Sequence, residues 1–90
     1  QLPIDTLKIG RGFINGLPDN SDDRVIVTAI IALAHSLELR VIAQGVETKQ
    51  QLEMLRELDC DEIQGFYVSK PVPMAELNKL LDKVFEINVT

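Results

Sequence analysis

Ninety residues are enough for one small domain or for a piece of a larger one. Hydrophobic residues at 46% and charged residues at 26% argue against a disordered chain. A formal net charge of −5 argues against a DNA- or RNA-binding module, which needs a basic stripe, yet leaves room for a small anionic ligand.

The opening Gln1-Leu2-Pro3 has no methionine, no basic leader and no long apolar run, so the chain reads as cut from something longer. Ile4 to Ile9 alternates as a strand, and Gly10-Arg11-Gly12 reads as the breaker after it. Leu17 to Asp23 is a turn-rich loop whose last members can cap a helix. From Arg24 to Leu37 the spacing predicts a helix, with Ile26, Ile30, Leu33 and Leu37 on its main buried stripe. Val27, Ile31 and Ala34 widen that stripe. Its apolar run, Val25 to Ala34, is too short to span a bilayer and is broken by Thr28, so no membrane contact is expected.

Arg40 to Val46 is the second strand, and Thr48-x-x-Gln51 has the form of a capping box. The helix behind it, Lys49 to Leu58, turns Leu52, Leu55 and Leu58 inward. Cys60 is the single cysteine, so no intrachain disulfide forms, and nothing in the sequence beside it suggests an activated thiol. A short third strand is expected at Glu62 to Phe66. Pro71-Val72-Pro73 punctuates, and a last helix is expected from Met74 to Val84 with Met74, Leu77, Leu81 and Val84 buried.

The fold class is therefore α/β: three consecutive βα units over residues 1–90, with parallel strands and right-handed crossovers. Three units cannot close a barrel, and helices on one side leave the other sheet face bare. That bare face predicts self-association of the isolated chain.

Alternation along the strands sorts the side chains. If Leu7, Ile9, Val41, Ala43 and Ile63 face the helices, then Lys8, Gln44 and Gln64 share the opposite face near the strand C-termini. Barrel enzymes keep their chemistry at that end. Polar strand ends are also common as solvated residues, and a lysine with two glutamines is not a self-sufficient acid, base or nucleophile set. His35 lacks a partner at metal-ligand spacing, and Gly10-x-Gly12 with Gly16 is not a dinucleotide fingerprint. Asp22-Asp23 and Asp59/Asp61/Glu62 read as turn and solvated residues. Glu47, just past a strand end, suits either a site or a helix start.

Three stretches carry a family resemblance: "LPIDTLKI", "VIVTAIIALAHSLELRVIAQGVET" and "LDCDEIQGFYVSKPVP". In unbroken order from Leu2 to Leu81 they resemble the C-terminal part of the EAL domain, the bacterial cyclic-di-GMP phosphodiesterase domain. The resemblance implies a TIM-like (β/α)8 barrel that hydrolyses cyclic-di-GMP to pGpG with Mg²⁺ or Mn²⁺. This chain would hold its last three βα units, roughly a third of a barrel of about 250 residues. The Glu-Ala-Leu signature, the metal-binding Asn and Glu and the Asp-Asp-Phe-Gly motif would lie upstream, so no metal is expected to bind this segment tightly.

Carried over by residue, Lys8 matches the lysine beside the metal-bound water and scissile phosphate. Gln64 matches the glutamine of the Gln-Gly-Tyr/Phe motif near the same centre. Glu47 matches the second glutamate of Ala-Glu-Gly-Val-Glu, in a supporting role. Gln44 falls on the first glutamate of that motif, the general base proposed for the attacking water, and Gly10 falls where the family carries Asp. An amide at 44 keeps shape and hydrogen bonding but cannot take a proton. The resemblance thus implies a bacterial, cytoplasmic signalling segment, inactive alone, with a degenerate site that binds cyclic-di-GMP or a partner protein. The alternative is an active metal-dependent phosphodiesterase that tolerates Gln44.

Overall fold

A computed structural model of the chain describes residues 5–65 and 68–76. The elements are β1 (Thr6–Ile9), α1 (Arg11–Ile14), α2 (Ser21–Ser36), β2 (Arg40–Val46), α3 (Lys49–Glu57), β3 (Glu62–Gly65) and β4 (Val68–Pro73). They build one four-stranded sheet in the order β1-β2-β3-β4. β1, β2 and β3 run parallel, joined through the helices, and β4 returns antiparallel along β3.

Two elements depart from the sequence reading. The presumed breaker after β1 contains a single helical turn, α1, anchored by Ile14 and Leu17, which are 0% and 4% exposed. Two apolar anchors in this short stretch outweigh the local cost of Gly12. The second departure is β4, because Pro71 sits inside a strand and Pro73 is its last residue, where the sequence reads only punctuation. β4 is the outermost strand, and an edge position tolerates residues that cannot donate to a ladder. Residues 74–76 are helical, and Met74 is buried as expected. Leu77, Leu81 and Val84 lie outside the described residues.

α2 begins three residues before the expected Arg24, because the Asn20 side chain accepts the Asp23 N–H at 3.0 Å and fixes the first turn. Its buried stripe is Val27, Ile31 and Ala34. Ile30 is half-buried against the core as expected, but Ile26, Leu33 and Leu37 are 39%, 62% and 62% exposed, so three of the four residues of the expected main stripe face outward. Apolar residues occur on both sides of this helix, and spacing alone cannot say which side meets the sheet. α3 starts at the predicted capping box: Thr48 Oγ1 accepts the Gln51 N–H at 3.1 Å, and Gln51 Oε1 accepts the Thr48 N–H at 3.1 Å.

The core lies between sheet and helices. Val41, Ala43 and Ile63 from the strands meet Val27, Ile31, Leu52 and Leu55 from the helices, all 3% exposed or less. Each buried aliphatic side chain of this kind contributes about 1.5–3 kcal/mol. The other sheet face is polar. Thr6, Lys8, Arg40, Gln44, Glu62 and Gln64 fall on it by alternation and register, with Ile42 the apolar member among them. Among the described residues this sheet face is thus mainly polar. Among the same residues the large exposed apolar side chains are Phe13 on α1 and Val25, Ile26, Leu33 and Leu37 along α2.

Candidate functional site

Alternation and register together fix where the three candidate side chains stand. Gln44 and Gln64 are register partners on adjacent parallel strands, so their side chains share one face at one level. Lys8 shares that face but pairs with Ile42, which pairs in turn with Glu62. Two residues of strand separate it from the glutamine level, roughly 7 Å at 3.3 Å per residue. The sequence brings the three onto one face, and the structure sets Lys8 one layer below the two amides.

Each glutamine is followed by a glycine with positive φ, +77° at Gly45 and +127° at Gly65. At Gly65 an added Cβ would lie 2.6 Å from the Val46 carbonyl oxygen and 2.8 Å from its nitrogen. Only glycine lets β3 close so tightly onto the end of β2. The register shifts between Gln44 and Val46 at the same place, so the strand ends bend just beyond the two amides. At Gly45 an added Cβ would meet Arg11 at Cγ, Cβ and Nε, at 2.8, 2.9 and 2.9 Å. The Arg11 stem therefore lies across the end of β2.

Glu47 follows directly on β2 and is exposed. Its backbone N–H donates to Gln51 Oε1 at 2.7 Å, so the capping side chain that starts α3 also holds the turn carrying Glu47. Lys8 is exposed, and Gln44 and Gln64 are half-buried. Chemically the set offers one cation and two amides, able to orient and hold an anion but unable to take a proton at neutral pH. Hard cations such as Mg²⁺ or Mn²⁺ favour carboxylate oxygens, and the three inward side chains have none to give. Among the described residues no group of three or more His, Cys, Asp or Glu could hold a metal ion. These residues alone do not fit a metal centre.

The N-terminal end of the same sheet is built differently. Asp61 Oδ2 lies 2.8 Å from His35 Nε2 and also accepts the Val41 N–H at 2.8 Å, tying α2, β2 and the start of β3 together. Arg40 Nη2 donates to Glu62 Oε2 at 3.0 Å on the polar face. Cys60 is 3% exposed, with its Sγ 3.6 Å from the Val41 carbonyl and 3.3 Å from that of Glu62. Burial pushes its thiol up to about 11, so it stays protonated and inert at neutral pH. Asp61, expected as a solvated residue, is thus a structural acceptor. Its partners lie 20 and 26 residues away, a link no local spacing could reveal. A cavity of about 330 Å³, lined by Pro18, Arg24 and α3 residues, belongs to the helical layer and not to the strand ends.

The family description "EAL domain" matches residues 1–71. The chain is 49% identical over 77 residues to the bifunctional diguanylate cyclase/cyclic di-GMP phosphodiesterase MucR of Pseudomonas aeruginosa. That match covers 86% of this chain and 11% of MucR. It is 48% identical over 81 residues to the cyclic di-GMP phosphodiesterase NbdA of the same organism, covering 90% of this chain and 10% of NbdA. Among solved structures, the EAL domain of Mycobacterium smegmatis DcpA superposes with a TM-score of 0.68 at 45% identity. It covers 91% of this chain and 37% of that one. The PaMucR phosphodiesterase, solved as a c-di-GMP complex, gives a TM-score of 0.68 at 50% identity, covering 84% and 31%.

Proposed function

The chain belongs to the EAL domain family, and on that premise we propose that it supplies the last strand ends of a cyclic-di-GMP site. The observation that carries this reading is the in-register pair Gln44 and Gln64, with Lys8 on the same face beneath them. Lys8 attracts the phosphodiester, and the two amides orient it by hydrogen bonding. Mg²⁺ or Mn²⁺, the metals of the complete family domain, would be held by residues outside this segment. The same reading puts the segment in the bacterial cytoplasm, as part of a larger signalling protein.

Within that site we read Gln44 as the loss of a proton acceptor, so binding of cyclic-di-GMP, or of a partner protein through the same surface, outlasts hydrolysis. The segment alone is inactive. Isolated from the rest of a barrel, the segment self-associates through its uncovered sheet face.

Incubating a complete EAL barrel carrying this segment with cyclic-di-GMP and Mg²⁺ or Mn²⁺, and resolving pGpG by chromatography, tests the reading. Tight binding with turnover far below that of NbdA is expected. Turnover matching NbdA would establish the second reading, an active phosphodiesterase in which Gln44 is tolerated. The 48% identity to a relative named as a phosphodiesterase favours that alternative.

A further inference from the structure

We infer that Arg11 is a phosphate-binding residue of this site, its stem lodged on Gly45 and its guanidinium acting with Lys8 on the anionic ligand. The inference rests on the cyclic-di-GMP reading above and adds a residue that the motif correspondence does not supply.

Arg11 opens α1 immediately beyond Gly10 at the end of β1, and Gly45 follows Gln44 at the end of β2. The Cβ, Cγ and Nε of Arg11 crowd the space that a side chain at 45 would need, at 2.9, 2.8 and 2.9 Å. Gly45 thus serves two purposes: it takes φ +77°, and it leaves a bed for the arginine stem. A stem held along its length keeps its head beside the strand ends, so less side-chain freedom is lost when a ligand binds.

Charge points the same way. Arg11 and Lys8 are exposed and form no ion pair among the described residues, in a chain with 14 acidic and 9 basic side chains. Arg40, at the opposite end of β2, is paired with Glu62. Two cations with no ion pair among the described residues thus stand at the strand ends that carry the two amides, with Glu47 the exposed carboxylate at the same end. A guanidinium adds what Lys8 cannot, a planar fork that grips two non-bridging phosphate oxygens at once.

The test uses the complete EAL barrel carrying this segment, with EDTA present so that turnover does not interfere. Cyclic-di-GMP affinity is measured by calorimetry at several salt concentrations. Arg11→Met keeps the apolar stem on Gly45 and removes the charge. It should weaken binding about 10-fold or more, flatten the dependence of affinity on salt, and leave the melting temperature unchanged. Arg11→Lys should recover part of the affinity. Gly45→Ala should displace the arginine and match the loss in Arg11→Met, and the double variant should lose no more than either single one. If Gly45→Ala does not fold, Arg11→Met decides alone. Binding by Arg11→Met equal to that of the unsubstituted barrel overturns the inference and leaves the cyclic-di-GMP reading standing. Failure of the unsubstituted barrel to bind both in EDTA and with Mg²⁺ or Mn²⁺ present overturns both.

Discussion

The two ends of one sheet are furnished with similar residues to opposite effect. At the N-terminal end, Asp61, His35, Arg40 and Glu62 are bonded to one another and to the backbone. At the C-terminal end, Lys8 and Arg11 have no ion pair among the described residues, and Gly45 and Gly65 bend the strands behind the two glutamines. Charged groups that saturate one another hold a fold together. Charged groups left without carboxylate partners are available to something else. Substitutions at the first end should therefore be read in stability, and at the second in ligand binding and rate.

The sharpest test of that division is at position 44. In a complete barrel carrying this segment, Gln44→Glu restores a proton acceptor and should raise the rate of pGpG formation by about 10²–10⁴. It also sets a negative charge beside the phosphodiester, so affinity for cyclic-di-GMP should fall as the rate rises. An unchanged rate, measured by chromatography, would remove Gln44 as the missing base. At the other end, Asp61→Ala leaves the Val41 N–H without its acceptor and breaks the bond to His35. It should cost about 2–3 kcal/mol in urea unfolding of the same barrel, with ligand affinity little changed. Asp61→Asn, which keeps an acceptor oxygen, should cost less.

Cys60 separates the ends by pH. Its folded value of about 11 lies above the ordinary thiol value of 9.0, because burial disfavours the thiolate. Between those values the unfolded chain releases a proton that the folded one keeps, so stability is full below about pH 9 and falls as pH rises towards 11. Cys60→Ala should flatten that fall in denaturant titrations run at each pH. The smallest expected effect on the fold is at Lys8. Lys8→Met should leave stability within about 0.5 kcal/mol, while weakening cyclic-di-GMP binding in the same preparation. A Lys8→Met barrel that unfolds early but binds normally would dissolve the distinction between the two ends.

Much of this was legible in the residues because it is local. Alternation along β1, β2 and β3 predicts the polar face that Lys8, Gln44 and Gln64 share, and Thr48 with Gln51 announces the start of α3. What stayed hidden depends on partners distant in sequence. Which stripe of α2 is buried follows from the sheet it meets, since Leu33 and Leu37 are as apolar as Ile31. β4 is hidden because Pro71 and Pro73 look like terminators until the strand is known to lie at an edge. Lys8 stands a layer below the glutamines because register is set between strands and cannot be counted along one. Asp61 looks like a solvated acid until β2 is laid beside it.

The position of β4 makes the two borders of the sheet unequal. Its two prolines carry no N–H, so the outer border of β4 offers a partner strand an interrupted set of donors. At the other border β1 runs from Thr6 to Ile9 without proline, parallel to β2. Of the sheet's two borders among the described residues, the β1 edge is therefore the one with an unbroken run of backbone donors.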